Sequence, residues 1–177
     1  RIAARIDDER RQLDALAHSL GGATEAPQLA QRRGAGEGLR RLWVSLTWLD
    51  GGNRIVAHLP EQAALPYPGE RYSGLDEDGL SAHLWAPLRN AGGGERGRLV
   101  ARYRPAALLR QSVPWWLARK YDVRLVDGWG QTLASTGEGI VVQGRASHRV
   151  DMEPALPDAW LELVARDRHV PWWRTLA

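Results

Sequence analysis

The sequence predicts an α+β fold: a long N-terminal helix followed by two modules, each a mainly antiparallel sheet with flanking helices. Three observations predict it. Apolar residues at the N-terminus recur at helical spacing, and from Leu42 onward the period changes to two. The phrase that opens the alternating region, "WLDGGNRIVAH", then returns as "LVDGWGQTLAS", with Asp50 on Asp127, Gly51 on Gly128 and Ala57 on Ala134.

In the first element Ile2, Ile6, Leu13, Leu16 and Leu20 form one stripe, with Arg, Asp and Glu between them. Gly21 and Gly22 end it. Arg1 and Ile2 are already in pattern and no initiator Met precedes them, so the chain reads as a piece of a longer protein whose helix continues upstream. A short second helix is expected from Gln28 to Arg33, closed by the glycine-rich "GAGEG" of Gly34 to Gly38.

"LRRLWVSLTWL" then places Leu42, Val44, Leu46 and Trp48 on one strand face and Trp43, Ser45 and Thr47 on the other. "DGGN", Asp50 to Asn53, is a hairpin turn, and "RIVAHL" is the returning strand. From Pro60 to Gly79 the prolines and glycines predict an irregular cover, too long for a simple turn. "LSAHLWAPL" and "RGRLVARYR" form a second hairpin across "NAGGGE", and "PAALLRQSVPWWLARKY" reads as helical around its proline.

The closing strands also match, "LVARYR" at Leu99 to Arg104 on "LVARDR" at Leu163 to Arg168, and each is followed by "VPWW". The tetrapeptide marks the exit from each module. This predicts a stalk over 1–33, a first module over 34–112 and a second over 113–177. Pro114 suits a first helical turn, where its missing N–H costs nothing, and core packing is expected for Trp115 and Trp116. Trp172 and Trp173 suit a water–lipid interface, where amphipathic rings lie.

Composition sets the outer bounds. The hydrophobic share of 44% and charged share of 25% allow a real core, and no apolar run approaches the roughly 18 residues of a membrane helix. Cysteine is absent, which excludes disulfides and cysteine-based metal sites. The net charge of +3 is carried almost wholly by Arg, Lys120 being the only lysine, but no dense basic block with interleaved aromatics points to nucleic acid. There is no G-x-S-x-G, no H-E-x-x-H and no Gly-rich loop ending in Lys-Ser/Thr. The five histidines lack metal-ligand spacing. The fragment is therefore expected to be no enzyme, with no metal and no cofactor.

Strand alternation selects a candidate pocket. Leu80, Ala82, Leu84 and Ala86 are expected to pack under the long helix, leaving Ser81, His83 and Trp85 on the opposite face; Leu99, Ala101 and Tyr103 likewise oppose Arg102. If these strands share one sheet, its polar face gathers Ser45, Thr47, Ser81, His83, Trp85 and Arg102, and the cover adds Tyr67, Arg71 and Tyr72. A guanidinium that engages both carboxylate oxygens, hydroxyls that complete the shell and rings that exclude water suit a carboxylate. His83 would add pH sensitivity.

The run "LWAPLRNAGGGERGRLVARYRPAALLRQSVPWWLARKYDVRLVDGWGQTLAST", Leu84 to Thr136, resembles the extracytoplasmic double PAS-like (double Cache, or PDC) sensor region of bacterial histidine kinases, closest to the C4-dicarboxylate-sensing type. The shared features are the strand before a Gly-containing turn, "GRLVARY", a helix ending near "VP", and "VRLVDGWGQTLAS". The resemblance implies a membrane-distal first module that binds a small organic anion, a membrane-proximal second module, and a periplasmic location. It also implies an inner-membrane parent kinase, a homodimer through the N-terminal helix and a cytoplasmic response regulator. The same sensor fold on a chemoreceptor or diguanylate cyclase, and a ligand-free dimerisation or partner-binding module, are the alternatives.

Overall fold

The computed structural model describes residues 1–21, 27–63, 72–76, 79–137, 146–153, 156 and 158–166; the side chains of 27–28, 72–76, 79–80 and 146–147 lie outside that description. The chain divides into two compact units, Arg1–Ser112 and Val113–Ala177.

In the first unit the helix α1 (Ile2–Ser19) buries Ile2, Ile6, Leu13, Leu16 and Ala17, and Leu20 caps it, also buried. This stripe lies on a five-stranded antiparallel sheet of order β2-β1-β5-β4-β3, built from β1 (Trp43–Asp50), β2 (Ile55–Leu59), β3 (Tyr72–Asp76), β4 (Gly79–Arg89) and β5 (Glu95–Tyr103). Ala82, Leu84, Ala86 and Leu88 of β4 and Leu99, Ala101 and Tyr103 of β5 form the apolar layer, all buried. One carboxylate is set into this helix face. Glu9 is fully buried and held by Arg5 at 3.4 Å and Arg41 at 3.0 Å, so its charge has partners where water has none.

Three expectations are corrected here. "GAGEG" does not close a helix. After α2 (Pro27–Gln31) the chain winds a further helix, α3 (Arg33–Arg41), straight through these glycines. A Cβ at Gly38 would stand 2.2 Å from the Trp43 ring, so the glycine is there for close approach and not for a stop. Trp43 also changes face. A bulge at Val44 puts two residues of β1 against one step of β5, so Trp43 pairs with Tyr103 while Ser45 pairs with Arg102. Simple alternation had grouped Trp43 with Ser45 and Thr47. Finally, the Pro60 to Gly79 stretch is not irregular throughout, because β3 adds to the sheet by pairing with β4.

The helix α4 (Pro105–Ser112) completes the first unit. The second begins with α5 (Trp115–Lys120) and carries a four-stranded sheet of order β7-β6-β9-β8, from β6 (Tyr121–Asp127), β7 (Thr132–Ser135), β8 (Ala146–Asp151) and β9 (Ala159–Ala165). No residue of α5 is buried. Trp115 is 74% exposed and Trp116 53%, which overturns the expected core packing: the six-residue helix turns both rings largely outward. Trp172 and Trp173 lie outside the described residues.

The hairpin turns repeat in detail. Asp50 Oδ1 accepts from the amides of Gly52 and Arg54, and Asp127 Oδ1 accepts from those of Trp129 and Gln131. Asn90 Oδ1 accepts from Gly94 in the turn between β4 and β5. In each, the fourth residue is left-handed: Asn53 at φ 61°, Gly130 at 84° and Gly93 at 82°. This is a three-residue hairpin loop whose last residue must tolerate positive φ, which explains Asn or Gly there.

The closing-strand alignment is off by two residues. Trp48 pairs with Leu99 and its counterpart Leu125 pairs with Leu161, so the residue standing where Leu99 stands is Leu161, not Leu163. A slip of two leaves every side chain on its own face, which is why the matching letters looked sound.

Candidate functional site

Residues directly opposite one another in an antiparallel sheet share a face. Across β1, β5 and β4 the register sets Ser45, Arg102 and His83 in one row, on the face turned away from α1. The next row runs from β2 through the same strands: His58, Thr47, Val100 and Trp85. Ser81 precedes His83 by one alternation on β4. The alternation of β4 and β5 thus brings together six of the nine residues expected from sequence: Ser45, Thr47, Ser81, His83, Trp85 and Arg102.

This polar face is buried. Ser45, Thr47 and Ser81 are buried, and Arg102 is only 5% exposed. Ser45 Oγ has no hydrogen-bond partner among the described residues. The two rows hold one guanidinium, two hydroxyls and two imidazoles, and no acidic residue. Trp85 departs from expectation. It is 58% exposed and stands at the rim of the face instead of forming a closed wall. Tyr72 is described only in its backbone, which pairs with Ala82, while Tyr67 and Arg71 lie outside the described residues.

Sequence reasoning missed His58. Its Nδ1 stands 2.8 Å from Thr47 Oγ1, and its Nε2 stands 2.8 Å from the Ala63 carbonyl oxygen. A carbonyl only accepts, so Nε2 carries the proton, and in the neutral ring Nδ1 accepts from the Thr47 hydroxyl. Counting alternation back from Thr47 across the Asp50 turn would have found it.

The matching face of the second unit is filled differently. Asp122, the counterpart of Ser45, pairs with Val164, and Val164 pairs with Ala146. In the next row stand Ser135, Arg124, Glu162 and Arg149, where the first unit has His58, Thr47, Val100 and Trp85. Asp122 accepts from Ser135 at 2.5 Å, Arg124 at 2.9 Å and the Gly137 amide at 2.9 Å. Burial opposes its charge, but the Ser135 hydroxyl, the Arg124 guanidinium and the Gly137 amide outweigh it and hold the carboxyl below its usual range. Glu162 is likewise held low by the Arg149 hydrogen bond, against some desolvation and with help from the Trp160 N–H and the charges of Arg149 and Arg124. Arg149 also lies over the Trp160 ring at 4.2 Å.

No family's sequence model matches the chain. It is 27% identical over 137 residues to the C4-dicarboxylate transport sensor protein DctS of Rhodobacter capsulatus, a match covering 70% of this chain and 20% of that protein. Among solved structures it resembles the ligand-binding domain of the amino acid chemoreceptor PctC of Pseudomonas aeruginosa PAO1, in complex with GABA. That match has a TM-score of 0.62 and 14% identity and covers 93% of both chains. It also resembles the ligand-binding domain of the Pseudomonas fluorescens chemoreceptor CtaA in complex with L-serine, at a TM-score of 0.65 and 11% identity, over 94% of this chain and 92% of that one. In this chain the order is a long N-terminal helix, then two antiparallel sheets with helices. In fold, this chain matches the double Cache (PDC) type.

Proposed function

We propose that this chain is the extracytoplasmic ligand-sensing domain of a membrane-bound sensor histidine kinase. Its ligand would be a small organic anion, a C4-dicarboxylate or a related carboxylate, on the polar face of the first sheet. One observation carries the reading: Arg102 is buried between Ser45 and His83 in a row of the sheet, with the buried hydroxyl of Ser45 lacking a partner among the described residues. A carboxylate suits that setting, since a guanidinium and hydroxyls donate to both of its oxygens. The likeness to DctS supports the same choice. Amino acids, the ligands seen with PctC and CtaA, carry an ammonium as well, and the two rows supply no acidic residue to meet it.

In this reading 34–112 is the membrane-distal ligand module, 113–177 the membrane-proximal one, and 1–33 the stalk. The parent protein sits in the inner membrane and signals to a cytoplasmic response regulator. β4 gives the signal a physical route, because His83 faces the ligand while Ala82 and Leu84 lie under α1. Ligand that holds β4 differently in two states biases α1 between them, a coupling typically worth about 1–3 kcal/mol. A homodimer through α1 would use its exposed side, with Asp8, Arg11, Asp14 and His18, because the apolar stripe is occupied by the sheet.

A thermal-shift screen against succinate, malate, fumarate, L-serine, γ-aminobutyrate and sugars tests the ligand. Binding stabilises by RT ln(1 + [L]/Kd), about 2.7 kcal/mol at a hundredfold excess over Kd. The expected result is a rise with a dicarboxylate that Arg102→Gln abolishes without loss of the far-UV circular dichroism signal. A rise only with an amino acid, or one that Arg102→Gln leaves intact, refutes the proposed ligand or the proposed site. Autophosphorylation of the full-length protein, altered by the same ligand, tests the kinase output against the chemoreceptor and cyclase alternatives.

A further inference from the structure

The Thr47–His58–Ala63 chain is a hydrogen-bond relay whose middle member can reverse it. Nε2 donates to the Ala63 carbonyl in either charge state. Nδ1 accepts from Thr47 when the ring is neutral and donates to Thr47 Oγ1 when the ring is protonated. Both bonds survive protonation. What changes is the direction of the Thr47 bond, and with it what Thr47 can offer the polar face. With neutral His58 the hydroxyl proton is committed to the ring and Thr47 presents only acceptor lone pairs. With protonated His58 the hydroxyl accepts from the ring and its own proton is released toward the face.

We infer that His58 is a positioning residue of the anion site, switching Thr47 from acceptor to donor and so coupling anion binding to the uptake of one proton. This rests on the reading of the site given above. The sign follows directly: an anion needs donors, so affinity rises as pH falls and His58 takes up its proton. The charged and titratable groups around His58 on described elements are Arg98 and Arg102 of β5, His83 of β4, Arg54 before β2 and Glu61 after it. Positions 45, 47 and 49 of β1 add none on this face, and α2, which packs against β2, carries none. The arginines keep one charge state across this range. Among the described residues His83 is the other group on the face able to change charge, so it has to be separated by mutation.

The test has two arms. In the first, fumarate, whose own carboxyls stay ionised, is titrated calorimetrically between about pH 8 and pH 5.5, the range in which histidines exchange protons. Expected is roughly ten-fold tighter binding at the acid end, the size of one added charge-assisted hydrogen bond. That gain should be largely lost in His58→Gln and partly kept in His83→Gln. An undiminished pH profile in His58→Gln overturns the inference. The second arm needs no ligand. Nitrogen-15 ring shifts of the free chain should show His58 neutral as the Nε2–H tautomer, with Nδ1 shifted by the Thr47 hydrogen bond that Thr47→Val removes. An Nδ1–H tautomer, or an Nδ1 shift unchanged in Thr47→Val, overturns the relay even if fumarate binds. Failure of fumarate to bind with the relay intact counts against the proposed ligand alone.

Discussion

The two sheets share strand order and turn chemistry, yet they treat the same face in opposite ways. In the second unit the face is electrically closed by its own chain: Asp122 answers Arg124 at 2.9 Å and Glu162 answers Arg149 at 2.8 Å. In the first, the positions of those two acids hold Ser45 and Val100, and the row keeps a buried Arg102 with hydroxyls. One sheet has built acids into these rows. The other carries a guanidinium, hydroxyls and imidazoles there and no acid within the two rows, the arrangement on which the proposed anion site rests.

The comparison can be broken at its strongest point first. Asp122→Ala strips Arg124, Ser135 and the Gly137 amide of their shared acceptor. It should cost the second unit about 3 kcal/mol in chemical denaturation, since a guanidinium, a hydroxyl and an amide all lose the acceptor they share. The same carboxyl gives the second unit a pH signature. Its folded-state value is lowered, so its contribution is fully present above the ordinary carboxylate value of about 3.9 and is lost as pH falls through the lowered one. Asp122→Asn should therefore flatten the acid limb of stability followed by hydrogen exchange of the β6 and β9 amides. Equal acid sensitivity in the variant would remove Asp122 as its cause.

In the first unit the corresponding weak point is steric. Gly38→Ala drives a methyl into the Trp43 ring and should cost about 2 kcal/mol of thermal stability, with dicarboxylate affinity unchanged because Trp43 lies off the polar face. Smaller still is Arg149→Gln, at about 0.5 kcal/mol, because the Arg149 side chain is mostly in water and its pair with Glu162 is screened. Smallest is Trp115→Ala, which should stay within about 0.5 kcal/mol in the same assay, since the Trp115 ring on α5 is mostly exposed. A large loss there would mean that Trp115 is covered in solution.

Most of this architecture was legible in the letters because it rests on local periodicity. The α1 stripe, the faces of β4 and β5 and the Asp50 and Asp127 turns each follow from spacing that a few residues decide. The misreadings came where a distant contact overrules a local rule. Gly38 looks like a helix stop until the Trp43 ring is seen against it, and Trp43 looks polar-facing until the Val44 bulge shifts the phase. The "LVAR" match deceived because a two-residue slip preserves faces. His58 was passed over because the weight fell on His83, and only pairing across the hairpin sets it beside Thr47. Ser45 and Asp122 each stand five residues before the aligned turn aspartates, Asp50 and Asp127, but their unlike residue types hid the pair.

The most direct test of the comparison is to give the first unit the second unit's own acid. Ser45→Asp places a carboxylate in the row of Arg102, and fumarate binding to this variant and to the unaltered chain is measured by isothermal titration calorimetry. The account predicts binding to the unaltered chain and a loss of at least about a hundredfold in the variant, with thermal stability retained because the new charge is paired. Equal fumarate affinity in both proteins would contradict it, and would place any ligand away from the Ser45–Arg102–His83 row.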